Sequence, residues 1–145
     1  MTKALVVYVG RKGSNPQIAE LIPEGIRMSG AESEVTDIAL IRNETDLQGY
    51  DALVFGSATY HGEMMQPMKT MLFLAEKAGL EGKVGGAFGA FGWSGEAPDR
   101  IFNTMLHILN MKMASAPLRL KNAAWTGGGQ MAQDYGRQIA RKLSE

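Results

Sequence analysis

Val84-Gly85-Gly86-Ala87-Phe88-Gly89-Ala90-Phe91-Gly92-Trp93-Ser94-Gly95-Glu96-Ala97-Pro98 is the stretch on which the fold turns. Val84 to Phe88 is an apolar run short enough to be a strand and uninterrupted enough to be buried on both faces. Glycines recur at 86, 89, 92 and 95, Phe91 and Trp93 stand among them, and Pro98 opens a helical pattern. A strand that ends in a glycine-relaxed aromatic loop suits a flat ring ligand. Glycine lets the backbone come close, and an aromatic face covers the ring. Taken alone, the segment fits equally well a tight strand-to-helix turn with a core Trp, because buried aromatics are common.

Working outward, strand and helix patterns alternate along the whole chain. Ala4-Leu5-Val6-Val7-Tyr8-Val9 is a continuous Val-rich run, the pattern of a central parallel strand. Asn15-Pro16 reads as a cap and first helical residue; Ile18, Leu21, Ile22 and Ile26 form one apolar face, and Gly30 is the stop. Glu34 to Ile38 is half polar and predicts an edge strand, and Asp46 to Gly49 a turn or short helix. Ala52 to Gly56 predicts another buried strand. A helix opens at Pro67 and runs to Ala78, with Gly79 beyond it. After the Val84 strand, the helix from Pro98 carries Ile101, Met105, Ile108 and Leu109. Pro117 to Leu120 predicts a short fifth strand, and Met131 to Leu143 a closing helix. Five strands alternating with helices imply an α/β architecture, a five-stranded parallel sheet covered on both faces. No linker or long repeat divides residues 1–145, so a single domain is expected.

Composition narrows the chemistry. The chain has 145 residues, 45% apolar and 21% charged, with a formal net charge of zero. That gives no sign of attraction to nucleic acid or to a membrane surface. Cysteine is absent, which removes disulfides, thiolate nucleophiles, iron–sulfur ligation and zinc–thiolate sites. No apolar run approaches the roughly 20 residues that span a bilayer. No signal peptide is evident, and a soluble cytoplasmic protein is expected. The ten methionines read as core filler and adaptable surface, not as a metal box.

In a sheet of this kind, ligands bind beyond the carboxyl ends of the strands, where strand order reverses. Three loops therefore carry the functional reading. The first, Gly10-Arg11-Lys12-Gly13-Ser14-Asn15, joins a buried strand to a helix start. Free amides and the helix dipole attract an anion there, with Ser14, Asn15, Lys12 and Arg11 able to add hydrogen bonds and charge. It is neither a Walker loop nor Gly-x-Gly-x-x-Gly, and a merely capped helix is the competing reading. The second loop, Ser57 to Gln66, offers Tyr60 for stacking and the His61-Gly62 peptide for a ligand atom. His61 has no second His or Cys nearby and no evident triad partner, so neither metal binding nor catalysis is expected of it. His107, mid-helix, reads as structural or surface. The third loop is the Gly89 to Ala97 segment.

On these residues the chain resembles a short-chain flavodoxin, in particular the flavodoxin domain of flavodiiron (A-type) flavoproteins. The first loop is similar to the family's Ser/Thr-x-x-Gly-Asn-Thr phosphate loop. Gly56-Ser57-Ala58-Thr59-Tyr60, followed by Met65 and Pro67, is similar to Gly-Ser-Pro-Thr-Tyr. Phe88 to Ala97 resembles Phe-Gly-Ser-Tyr-Gly-Trp-Ser-Gly-Glu-Ala and is the most specific of the three. The resemblance implies a flavodoxin-like three-layer sandwich that holds FMN. Gly10, Arg11, Lys12, Gly13, Ser14 and Asn15 would hold the phosphate. Thr59, Tyr60, His61 and Gly62 would flank one side of the ring; Ala90, Phe91, Gly92 and Trp93, with Gly95, the other. The His61-Gly62 peptide would turn its carbonyl toward the reduced flavin.

The resemblance implies electron transfer between redox partner proteins, a reductase and an acceptor, by a monomer in which no residue is catalytic. The competing readings are an NAD(P)H:quinone-type flavin reductase and a cofactor-free binding module on the same fold. Gly10 and Asn15 stand where the family has hydroxyls, Ala58 replaces a common Pro, and Ala90-Phe91 replaces Ser-Tyr. Lost phosphate hydrogen bonds are each worth about 1.5–3 kcal/mol when charge-assisted, so weaker FMN retention is expected. The length leaves no room for the insertion that splits the fifth strand in long-chain flavodoxins.

Overall fold

The computed structural model describes residues 2–9, 15–57, 59–60, 63–64, 66–90, 96–120 and 128–145. Strand β1 (Lys3–Val9) leads to helix α1 (Asn15–Met28), then to β2 (Glu32–Asp37) and β3 (Ala52–Ser57). A two-stranded hairpin, β4 (Thr59–Tyr60) and β5 (Glu63–Met64), precedes α2 (Gln66–Ala78). β6 (Val84–Ala90), α3 (Glu96–His107), β7 (Lys112–Met113), β8 (Leu118–Leu120) and α4 (Gly128–Leu143) follow.

The main sheet is parallel in the order β2-β1-β3-β6, with both β7 and β8 on the outer side of β6. β7 pairs with Val84-Gly85 and β8 with Phe88 to Ala90. The expected fifth strand is therefore present but broken into two pieces. Only the 117–120 piece has a sequence pattern that marks it, because the two residues of β7 are too few to carry a period.

The continuous apolar runs of β1 and β3 arise because their residues are buried alternately against the helices on either side of the sheet. Leu5, Val7, Leu53, Phe55 and Ala87 pack with α2 and α3. Ala4, Val6, Ala52, Val54 and Phe88 pack with α1 and α4. This is the three-layer sandwich. β2 takes the edge, as its polarity predicts, but spans 32–37, while Ile38 turns inward to open a short 3-10 turn. Asp37 caps that turn by accepting from Ala39 N–H at 2.9 Å. The expected turn at 46–49 is a 3-10 segment, Glu44–Leu47, anchored by fully buried Leu47. The Asp46 carboxylate accepts from the N–H groups of Arg42 and Asn43, which holds it below its ordinary pKa.

Helix ends follow local chemistry. Gly30 has φ +95°, and Gly30 N–H donates to Arg27 O while Ala31 N–H donates to Ile26 O. That pair of bonds closes α1 in a left-handed cap that suits glycine. α3 opens two residues ahead of Pro98, which leaves the proline in the first turn, where its missing N–H costs nothing. It ends at His107, before Leu109, and the chain turns through Asn110 at φ 56°. Leu109 stays buried, but Ile108 is 57% exposed and does not belong to the core face expected for it. α4 opens at Gly128, three residues before the expected Met131.

The break in the fifth strand leaves Ala87 of β6 without a strand partner on its outer side, and Tyr135 of α4 replaces it. Its buried hydroxyl accepts from Ala87 N–H at 2.9 Å and donates to Ala87 O at 3.1 Å. Gly85, two residues earlier on the same side, is met by Ala114 N–H at 2.9 Å. Gly86 makes room for the ring: a Cβ there would lie 3.0 Å from the Tyr135 hydroxyl.

Candidate functional site

The chain runs from β1 outward to β2 on one side, then returns to β3 and β6 on the other. Strand order thus reverses between β1 and β3, the position at which open α/β sheets bind ligands. Val9, at the end of β1, is opposite Ser57, at the end of β3. Gly56 is opposite Phe88, so Ser57 adjoins Gly89. The three loops singled out in the sequence therefore leave the sheet from three neighbouring strand ends.

Of the expected ligand contacts, Asn15 is the first residue of α1, Thr59 and Tyr60 form β4, and Ala90 ends β6. Gly10, Arg11, Lys12, Gly13 and Ser14 lie outside the described residues, as do His61, Gly62, Phe91, Gly92, Trp93 and Gly95. The described residues that frame them define the cradle. α1 points the free N–H groups of its first turn to the same edge at which β1 ends. The β4-β5 hairpin packs against α3, which brings the second loop beside the helix that follows the third. A Cβ on Gly89 would run into the Ser57 carbonyl and come within 2.8 Å of Pro98 Cγ. The backbones that lead into the second and third loops are in direct contact through that glycine. Arg119 of β8 reaches Asp99 of α3 at 3.5 Å and braces the outer side of the same corner.

Two features of the site were not legible in the sequence. The loop from Ser57 to Gln66 contains a hairpin of two residues per arm, too short to show alternation. Ser57 is fully buried, and nothing in its neighbours' composition distinguishes it from an exposed loop serine. Among the described residues no group of three or more His, Asp or Glu could hold a metal ion, and no helix is long and apolar enough to cross a membrane.

A doubly wound sheet whose switch point lies beside the ends of β1, β3 and β6 defines a nucleotide-binding class of α/β domain. Comparison with solved structures makes the class specific. A flavodoxin from the domain Archaea is 30% identical, superposes with a TM-score of 0.93, and is matched over 99% of this chain and 100% of that one. The chain belongs to the flavodoxin family, FMN-binding proteins that transfer electrons. Type A flavoprotein fprA of Rhodobacter capsulatus is 30% identical over 97% of this chain, which spans only 33% of that protein's length. An NAD(P)H dehydrogenase (quinone) of Gluconacetobacter diazotrophicus is 28% identical over 81% of this chain and 71% of its own. No protein-family model matches the chain.

Proposed function

We propose that this chain is an electron carrier that holds FMN in the three loops at the sheet's switch point and passes electrons between a reductase and an acceptor protein. The observation that supports the proposal is that the three loops leave adjacent strand ends, with Ser57 of β3 and Gly89 of β6 in close contact there. When bound, FMN supplies the redox chemistry, accepting and releasing one or two electrons. The chain's own residues bind and orient it. The first-turn amides of α1, with Asn15, Ser14 and Lys12, take the phosphate. Gly10, Arg11 and Gly13 complete that loop. Thr59, Tyr60, His61 and Gly62 line one side of the ring. Ala90, Phe91, Gly92, Trp93 and Gly95 line the other and exclude water. No side chain of the chain is a catalytic group in this reading. Residues 1–145 act as one domain, and a cytoplasmic setting suits a chain without cysteine.

The visible spectrum of the purified protein, before and after addition of FMN and desalting, tests this directly. Flavin bands that stay with the protein, with FMN released on denaturation, are expected. A colourless protein that retains no added FMN would overturn the proposal and leave a cofactor-free module on the same fold. A second reading, flavin-dependent reduction of quinones by NAD(P)H, is favoured by the similarity to the Gluconacetobacter diazotrophicus dehydrogenase. Steady consumption of NAD(P)H in the presence of a quinone and no second protein would select it over the carrier.

A further inference from the structure

At the switch-point end of the sheet, β3 and β6 each carry one glycine that makes room for the other strand. Gly56 of β3 is opposite Phe88 of β6. A Cβ on Gly56 would strike Cζ, Cε1 and Cε2 of Phe88, so the tip of that ring fills the space over the glycine. Phe88 is fully buried, among the largest side chains of the core, and belongs to the layer of α1 and α4. One residue farther along, the relation is reversed. The glycine is Gly89 of β6, and the Ser57 carbonyl of β3 fills the space it leaves, with Pro98 of α3 beside it. Successive residues of a strand face opposite sides, so one of these contacts lies on each face of the sheet. Neither filling group is free to swing away, because the ring is enclosed on all sides and the carbonyl is backbone.

We propose that Phe88 is a positioning residue for the flavin ring: through Gly56 it fixes the end of β3 against the end of β6, and so the spacing of the loops that leave them. The inference rests on the reading that those loops hold FMN. Being fully buried, Phe88 presents no atom to a ligand and acts through the backbone of β3. A slot that holds a rigid flat ring must be kept to within about 0.5 Å by groups that packing has locked. Thr59 is three residues beyond Gly56 and Ala90 two beyond Phe88, so little chain separates this contact from either side of the slot. A shift between the two strand ends therefore passes to both sides of the ring. The first loop leaves β1 and leads into α1, so the phosphate contacts do not depend on this pair. Phe88 thus governs how the ring is held and leaves the phosphate contribution unchanged.

Fluorescence titration of the full chain, stripped of any flavin it carries, with FMN and with riboflavin, which lacks the phosphate, tests this. Phe88→Leu and Gly56→Ala are each expected to weaken the binding of both flavins by the same factor, about tenfold. In the combination of Gly56→Ala with Phe88→Leu, the new methyl takes the space that the ring tip vacates. That variant is expected to bind both flavins within about threefold of the unaltered chain. Ile26→Val removes a methyl from the same core layer near the far end of α1. It is expected to lower the melting temperature and leave both affinities unchanged. The proposal is overturned if Phe88→Leu lowers the melting temperature alone, or if Ile26→Val weakens flavin binding as much. It is also overturned if FMN is affected and riboflavin is not, or if the two single losses add in the combined variant. An unaltered chain that binds neither flavin would overturn the carrier reading and the positioning role together. Binding that all the variants leave intact would overturn the positioning role alone.

Discussion

Tyr135 shows how much one side chain does in this fold. Its hydroxyl satisfies both the N–H and the C=O of Ala87, where the fifth strand leaves the ladder. A buried polar group without a partner costs about 1–3 kcal/mol. Tyr135→Phe is therefore expected to destabilise the protein by at least that amount, read as a lower urea midpoint at unchanged m-value. Burial also pushes the Tyr135 phenol far above its ordinary pKa. Tyr50 is raised to about 12, by partial burial first and then by its hydrogen bond to Glu34, 2.8 Å away. A phenol whose pKa is raised in the folded state adds stability below about pH 10, its unfolded value, and loses it as pH rises. Stability should therefore fall between about pH 10 and 12. In a phenolate absorbance titration Tyr50 should ionise near the top of that range and Tyr135 only on unfolding. Glu34 behaves in the opposite sense. The Tyr50 hydrogen bond and then Lys3, 3.1 Å away, lower its pKa, so its contribution is present above the usual carboxylate pKa and is lost in acid. Because Glu34 is half exposed, Glu34→Gln should cost under about 1 kcal/mol near neutral pH, measured by denaturant unfolding. None of these partnerships is visible in the sequence, because Tyr135 and Ala87 are 48 residues apart.

At the scale of elements, α1 and α4 approach more closely than their amphipathic patterns predict. A Cβ on Gly25 would strike the carbonyl of Gln133, and one on Gly136 the carbonyl of Ile22. Each helix thus lays a glycine against the other's backbone. In an isolated helix, Gly→Ala gains about 1 kcal/mol. Here the colliding atoms are backbone and cannot swing away, and overpacking costs about 1–3 kcal/mol. Gly25→Ala and Gly136→Ala should each lower the thermal midpoint despite their better helix propensity. Gly89→Ala should act at the site instead. It separates β3 from the start of α3 and is expected to reduce FMN retention after desalting more than it reduces the melting temperature. The helices and the central strands were legible because each is long enough to show its period. β7, the hairpin and the early start of α4 were not. Two-residue strands carry no period, and the Gly128-Gly129 start of α4 has a composition that opposes helix, overridden by the packing of Ala132, Tyr135 and Ile139 on the sheet.

For the whole molecule, the neutral net charge and the site's position set what to expect of its function. Weak charge steering implies that association with redox partners should depend little on ionic strength. Stopped-flow electron-transfer rates from a reductase, measured from low to high salt, should change by less than about tenfold. A strongly charged carrier would lose far more over the same range. The expected weakness of the phosphate loop belongs to this scale as well. Asn15 begins α1, so the dipole and the free amides remain even where the family's hydroxyls are missing. FMN affinity should therefore fall with added phosphate or sulfate, which compete for the same amides, and a flavin-fluorescence titration would read this.

The sequence by itself determined the layer architecture, the parallel sheet and the strand ends from which the three candidate loops leave. Each of those follows from local pattern: buried runs of a few residues, caps, and glycine–aromatic segments at strand ends. Tertiary structure alone decided the break in the fifth strand and its repair by Tyr135, and the glycine-to-backbone seam between α1 and α4. These depend on which distant surfaces meet and at what distance. A side chain's neighbours within the chain do not encode that; only packing to a dense core brings the partners together.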